Sequence, residues 1–150
     1  MDRPMVKVKL LGSKKEEDFL YDSGAQVSLM SKKIFRKIKV ELRPEKIDFK
    51  LSCSGVSGSK LKILGCYFFK FTVLGKEMKH PIFVVEKIPG QSGVLGIDII
   101  KRMGLALDVI KNEPFIVNSN INEASVTRDT FIPARSRQLC NIKVPHHFLK

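Results

Sequence analysis

The sequence is poor in the residues from which disulfide frameworks and metal sites are built. It contains no tryptophan, three cysteines and three histidines among 150 residues. The cysteines are Cys53, Cys66 and Cys140, an odd number without Cys-x-x-Cys spacing, which argues against a disulfide framework and a zinc site. The histidines are His80, His146 and His147, and they show no metal-ligand spacing. We therefore expect reduced, mostly buried thiols and no metal or other cofactor.

Long apolar runs are also missing. No run approaches the roughly 18 residues that cross a bilayer, and the stretch MDRPMVKVKL lacks the uninterrupted apolar core of a signal peptide. We therefore expect a cytoplasmic protein with no membrane partner. With 43% hydrophobic and 28% charged residues, the composition is that of a globular domain with a buried core.

Acidic residues are scarce, with 15 against 27 lysines and arginines, so the formal net charge is +12. Such a charge suits an anionic partner such as nucleic acid. The lysines are spread along the chain, however, and no zinc knuckle or cluster of basic and aromatic residues accompanies them. Nucleic acid is therefore not expected as the main partner, and a basic nucleic-acid-binding β-domain is kept as a third hypothesis.

Alternating apolar and polar residues are what the chain has in abundance, and they predict an all-β fold. Residues 46–53 alternate strictly, the Gly- and Ser-rich residues 54–59 follow, and alternation then resumes, which predicts a long hairpin with a flexible tip. A second hairpin is predicted to turn at Gly75-Lys76. Residues 105–110 and 114–119 predict two further strands joined by a turn.

Helical signals are few. Residues 31–38 predict two turns with Ser31 as N-cap, and DIIKRMG predicts a helix that Asp98 caps and Gly104 ends. From residue 119 the pattern weakens. We predict a mostly-β domain over residues 1–118 and a C-terminal extension over residues 119–150, which is either a further strand or a linker.

One carboxylate interrupts an apolar stretch. In FLYDSGAQVSLM, residues 19–30, Asp22 stands between an apolar run and a Ser-Gly-Ala turn. Aspartate is a poor strand residue and is rarely buried unpaired. Alone, Asp-Ser-Gly is ordinary turn chemistry. A second element, VLGIDII at residues 94–100 followed by Met103-Gly104, lies at a fitting distance downstream.

Together these elements resemble the active-site motif, the hydrophobic-hydrophobic-Gly motif and the C-terminal helix of retropepsin-like aspartic proteases. This family comprises retroviral and LTR-retrotransposon proteases, including the gypsy type, and their domesticated relatives. The Gly-rich tip lies between the two elements, where the family carries its flap. The resemblance covers residues 5–110 and implies a closed β-barrel with a flap hairpin, the acid protease fold.

The resemblance implies an aspartic endopeptidase with Asp22 as the catalytic group. Peptide hydrolysis needs one group to activate water and another to protonate the leaving group, and two carboxylates sharing a proton supply both. The chain has a single Asp-Ser-Gly. A homodimer with its active site on the two-fold axis is therefore implied, together with a polypeptide substrate, namely a retroelement polyprotein.

The resemblance also implies roles for other residues. Ser23 would hydrogen-bond across the dimer axis, and Gly24 would let backbone and substrate approach closely. The side-chain pockets would be lined by Leu20, Ala25, Leu29 and Val94. The flap would be formed by Gly55, Val56, Ser57 and Gly58, closing over a substrate that binds by strand addition.

The sequence departs from the family at two paired positions. Retroviral members commonly have an acid where this chain has Gln26 and an arginine where it has Ile97, so a contact that supports the dimer is missing. Residues 119–150 resemble the segment between protease and reverse transcriptase in gypsy-type polyproteins. The main alternative function is a catalytically silent retropepsin-like module for dimerisation or peptide binding. For Asp98, a helix cap is expected rather than a second catalytic acid.

Overall fold

Strand β1, Met5–Leu10, begins a closed sheet. Its residues Val6, Val8 and Leu10 are buried, and the lysines between them are exposed, as expected for a strand with one face on a core. The computed structural model describes residues 3–48, 50–52, 61–117 and 141–143.

Ten further strands and two short helices follow within these described ranges. The strands are β2 (Glu17–Tyr21), β3 (Leu29–Ser31), β4 (Lys46–Ile47), β5 (Lys50–Ser52), β6 (Ile63–Val73), β7 (Lys76–Val85), β8 (Gly93–Leu95), β9 (Leu105–Asp108), β10 (Glu113–Ile116) and β11 (Asn141–Lys143). The helices are α1 (Lys32–Phe35) and α2 (Ile97–Met103), with a 3-10 turn at Val40–Leu42.

Six strands close into a barrel in the order β1-β2-β8-β3-β7-β6, because β6 also pairs with β1. The sheet is mixed, since β2–β8 and β3–β7 are parallel pairs and the other pairs are antiparallel. Strand β4 adds to the outside of β6. The closed, mostly-β barrel confirms the predicted fold class.

The hairpin of β6 and β7 is the longest element of the barrel. Its turn consists of Leu74 and Gly75, both with positive φ (50° and 83°). Two successive left-handed residues give a turn whose twist matches that of the flanking strands. The predicted hairpin is therefore confirmed, with its turn one residue earlier than predicted.

Two apolar clusters of described residues lie on opposite faces of the barrel strands, because neighbouring residues of β3, β7 and β8 belong to different clusters. The larger one surrounds Phe19, Phe69 and Phe71 and includes the buried face of α2. The smaller one, called here the second cluster, contains Ala25, Leu29, Ile47, Cys66, Phe83, Val85, Ile88 and Val94. Leu20 and Val27 pack against the second cluster, which therefore adjoins the segment that carries Asp22.

Two local predictions were wrong in their bounds. Helix α1 has a single turn and ends at Phe35, after which tighter hydrogen bonds carry the chain round to bury Ile38. Ser31 is its N-cap residue but makes no capping hydrogen bond. The strand predicted over residues 46–53 is divided, because β4 pairs with β6 whereas β5 pairs with β11.

The two strands predicted after α2 are confirmed as the hairpin β9–β10. Strand β9 ends at Asp108, whose carboxylate accepts hydrogen bonds from the amides of Ile110 and Lys111 and so forms the turn. Beyond residue 117 the described part of the chain contains only β11. The division into residues 1–118 and 119–150 therefore stays a prediction.

Candidate active site

Asp22 follows directly after the last residue of β2, and its position is fixed by backbone hydrogen bonds. Its amide donates to the Leu95 carbonyl at 3.0 Å, and its own carbonyl accepts from the Ala25 amide at 3.0 Å. Its Oδ1 accepts the Gly24 amide at 2.9 Å. Oδ2 makes no hydrogen bond within the described ranges, and the residue is half-buried. One carboxylate oxygen is thus anchored and the other is free.

The loop that carries Asp22, residues 22–28, is tied to the second sequence element. The Ile97 amide donates to the Ala25 carbonyl at 2.8 Å, and the Gly96 amide donates to Ser28 Oγ at 2.9 Å. A Cβ at Gly96 would lie 2.6 Å from the Val27 carbonyl oxygen. Only glycine allows the two segments to approach this closely.

Asp98 holds this junction from the other side. Its Oδ1 accepts the Ser28 hydroxyl at 2.7 Å and the Ile99 amide at 2.9 Å, and its Oδ2 accepts the Ser28 amide at 3.2 Å. The prediction that Asp98 caps its helix was wrong, because α2 begins at Ile97 with Gly96 as N-cap residue. Asp98 instead links Ser28, which is 0% exposed, to the first turn of α2 by hydrogen bonds.

A buried histidine extends this network. His80, which is 1% exposed, places Nε2 3.0 Å from Asp98 Oδ2 and Nδ1 3.0 Å from Arg102 Nη1. A guanidinium only donates, so Nδ1 is the acceptor and Nε2 carries the proton that is donated to Asp98. Sequence reasoning missed the roles of Ser28 and His80, because their partners are distant in the chain and no motif marks them.

Cys66 lies in the second cluster and is 0% exposed. Burial, and secondarily the charge of Asp98, raise the pKa of its thiol to about 12. A thiol with so high a pKa is a poor nucleophile. The prediction of a buried thiol is confirmed for Cys66, whereas Cys53 and Cys140 lie outside the described residues.

The structure brings together the four residues predicted to line substrate pockets. In the sheet, Val94 stands opposite Leu20 on one side and opposite Leu29 on the other. Ala25 belongs to the same second cluster. Leu20 is half-buried, while the other three are no more than 7% exposed. Their contact with a substrate stays a prediction.

Of the remaining predicted site residues, the structure describes Ser23 and Gly24 but not the predicted flap. Ser23 is exposed, and its hydroxyl makes no hydrogen bond to any described residue. Gly24 is half-buried beside the Asp22 carboxylate. The predicted flap residues, Gly55, Val56, Ser57 and Gly58, lie outside the described residues.

The described residues contain neither a metal-binding cluster nor a membrane-spanning helix. Within residues 3–48, 50–52, 61–117 and 141–143, no group of three or more His, Cys, Asp or Glu side chains could hold a metal ion. The same part of the chain contains no helix that is long and apolar enough to span a membrane.

Comparisons with known proteins relate this fold to retroviral proteases. No family model and no curated protein matches the sequence. The retroviral protease-like domain of Ddi1 from Leishmania major is similar, with a TM-score of 0.60 and 21% identity over 84% of this chain and 99% of that one. EIAV protease complexed with the inhibitor HBY-793 has a TM-score of 0.50 and 19% identity over 71% and 93% of the two chains. The fold is therefore retropepsin-like.

Proposed function

We propose that this protein is a homodimeric aspartic endopeptidase whose two Asp22 carboxylates share one proton and activate a water molecule. The observation that carries the proposal is the setting of Asp22. It ends a strand of a retropepsin-like barrel, the Gly24 amide anchors one of its oxygens, and the other oxygen is free beside the second cluster.

The chemistry requires a second carboxylate. Two carboxylates about 3 Å apart cannot both be ionised, so the pair holds one proton. The ionised member takes a proton from water while the protonated member donates to the leaving group. Asp98 cannot serve as the second acid, because Ser28 and His80 engage both of its oxygens. A second copy of the chain supplies the partner Asp22.

The exposed hydroxyl of Ser23 supports the same arrangement. It stands next to Asp22 and makes no hydrogen bond to any residue within the described ranges. In a two-fold dimer the two loops of residues 22–28 meet at the axis. Ser23 then bonds to the opposite loop and holds the two carboxylates in place.

The hairpin β9–β10 offers an apolar surface for dimerisation. Its outer face and turn expose Val109, Ile110, Phe115 and Val117, with Ile110 89% exposed and Phe115 46% exposed. On the opposite face of β10, Ile116 packs against the larger cluster. Contiguous exposed apolar side chains on a small protein mark an interaction surface. A second copy that covers them removes this surface from water.

The substrate is an extended polypeptide. Leu20, Ala25, Leu29 and Val94 form the apolar wall beside Asp22, which favours apolar residues next to the scissile bond. The substrate backbone adds as a strand to the loop of residues 22–28. Residues 55–58 act as the flap that excludes water from the site.

The natural substrate is the retroelement polyprotein of which the protease is itself a part. This part of the proposal rests on the sequence resemblance of residues 19–30 and 94–104 to retroelement proteases, and of residues 119–150 to the segment that follows them in gypsy-type polyproteins. Mass spectrometry of a gypsy-type polyprotein incubated with the enzyme tests it. Discrete cuts at domain boundaries support this source, and an uncut polyprotein contradicts it.

Substitution Asp22→Asn tests the central claim. Asparagine keeps an oxygen that accepts the Gly24 amide but cannot hold the shared proton. Its kcat/KM on an unstructured polypeptide at about pH 5 should fall at least about a thousandfold, with circular dichroism and sedimentation unchanged. The matched control is Glu77→Gln, which neutralises an exposed carboxylate on β7.

Pepstatin should inhibit the parent protein. If Asp22→Asn cleaves as fast as the parent, the proposed catalytic role is wrong. If the parent binds peptides but cleaves none at concentrations where the dimer forms, the silent binding module is the better assignment.

A further inference from the structure

A basic groove lies beside the proposed active site. It encloses about 890 Å³ between α1 on one side and residues 86–92 on the other, and Met5 of β1 contributes to its lining. The Ser31 amide donates to the Ser92 carbonyl at 2.9 Å and joins the two walls. The groove is therefore built by the barrel itself.

The groove carries an excess of positive charge. Its cations are Lys32, Lys33, Arg36, Lys37 and Lys87, and its carboxylates are Asp18 and Glu86. The five cations and two carboxylates give the groove a net charge of +3. The hydrogen bond from Lys32, and secondarily the charges of Lys32, Lys62 and Arg36, hold the pKa of Glu86 below its usual range.

The carboxylates of the groove are already paired. Asp18 bonds to Lys7 at 2.7 Å, and Glu86 bonds to Lys32 at 2.9 Å. Within the part of the chain that the structure describes, Lys33, Arg36 and Lys87 form no salt bridge, and all three are exposed. Because these three cations are left unpaired by the described residues and lie on both walls, they can bind an anionic partner from two sides.

The groove is continuous with the strand that positions Asp22. Ser92 lies at its edge and immediately precedes β8, whose last residue, Leu95, accepts the Asp22 amide. Three residues of extended chain span about 10 Å. A peptide that runs from Asp22 along β8 would therefore reach the groove after about three residues.

We infer that the groove binds an acidic segment of the polypeptide substrate, about three to six residues from the scissile bond. This inference rests on the proposed endopeptidase function and adds the substrate class. Met5 and Ile88 are the large apolar side chains among the described residues that line the groove. Among the described residues that line the groove there is no aromatic side chain, so these residues do not offer the stacking on which single-stranded nucleic acids depend. An acidic peptide therefore fits better than a nucleic acid.

Two peptides test the inference. Both contain the same cleavable core, taken from a site mapped in an unstructured polypeptide, and they differ in an extension of Asp and Glu or of Asn and Gln. Three exposed ion pairs should raise kcat/KM for the acidic peptide about tenfold at low salt. The preference should fall toward unity between about 0.1 M and 1 M salt, because screening shortens the range of the charges.

The combined substitution Lys33→Gln, Arg36→Gln and Lys87→Gln should abolish the preference for the acidic peptide. The matched control neutralises three exposed lysines outside the groove, in the combination Lys9→Gln, Lys79→Gln and Lys111→Gln, and should keep that preference. Equal loss in both triple variants overturns the inference, because bulk charge would then explain the preference.

A binding measurement separates this inference from the proposed function. Fluorescence anisotropy of the labelled acidic peptide is measured with Asp22→Asn, with and without the three groove substitutions. Groove-dependent binding without cleavage by the parent supports the groove and contradicts the protease assignment. Cleavage without any acidic preference overturns the groove alone. Tighter groove-dependent binding of a polyuridine oligonucleotide also overturns it.

Discussion

Replacing Ser28 with alanine removes one buried and one partly buried hydrogen bond at the junction behind Asp22. The hydroxyl donates to Asp98 Oδ1 and accepts the Gly96 amide, and Ser28 is 0% exposed. A hydrogen bond to a charged group contributes about 1.5–3 kcal/mol, and a buried amide left unpaired costs about 1–3 kcal/mol. Because effects within one network are not additive, we expect Ser28→Ala to lower the free energy of unfolding by about 2–4 kcal/mol.

Urea denaturation followed by far-UV circular dichroism measures this loss, since the protein has no tryptophan for fluorescence. The control is Ser31→Ala. Ser31 is 7% exposed, and its hydroxyl makes no capping hydrogen bond. We expect the control to change stability by less than about 0.5 kcal/mol. Both variants are compared at equal protein concentration, because dimerisation shifts apparent stability.

The result that refutes this reasoning is a loss for Ser28→Ala no larger than that for Ser31→Ala. The hydroxyl of Ser28 would then contribute nothing beyond its volume. A large loss accompanied by a changed dependence on urea would instead indicate altered unfolded or native states, not the removed hydrogen bonds.

Three other predictions concern reactivity, packing and assembly. The Cys66 thiol should resist alkylation at about pH 8 until the protein unfolds. Because the pKa of the Cys66 thiol rises from 9.0 in the unfolded chain to about 12 in the folded one, the free energy of unfolding should fall as the pH rises through this window, and less so in Cys66→Ala. Gly96→Ala should cost more than about 3 kcal/mol in urea denaturation, whereas Gly75→Ala, where a Cβ meets open space at φ +83°, should cost about 1–2 kcal/mol. Ile110→Asp should weaken the dimer in sedimentation experiments, whereas Leu74→Asp, exposed on the β6–β7 turn, should not; equal weakening would contradict the assigned surface.

Local patterns predicted several of the strands, whereas the candidate site was implied by the family resemblance. The alternation in β1 and over residues 69–73 of β6 follows the burial of one face directly, whereas β7 is buried at every position from His80 to Val85. Gly104 ends α2 in a left-handed conformation (φ 74°), as its place after an apolar helix predicts. The resemblance to retropepsin-like proteases implied that the Asp22 and Gly96 elements lie together, and the structure joins them through backbone hydrogen bonds.

Contacts between distant segments were not predictable in this way. Ser28 and Asp98 are 70 residues apart, and no sequence pattern around either residue indicates that they form a hydrogen bond. Asp98 was therefore assigned to its own helix, as a carboxylate in a first turn usually is. The division of residues 46–53 has the same origin, because β4 and β5 pair with different strands.

The insertion of β8 between β2 and β3 has a consequence for synthesis of the protein. Strands β2 and β3 lie early in the chain, yet each forms its barrel pairing with β8 only after residues 93–95 have been made. Asp22 lacks the Leu95 carbonyl that fixes its amide until then. The loop of residues 22–28 therefore reaches its final position only after Leu95 has left the ribosome, so the activity proposed above begins no earlier than that point of synthesis.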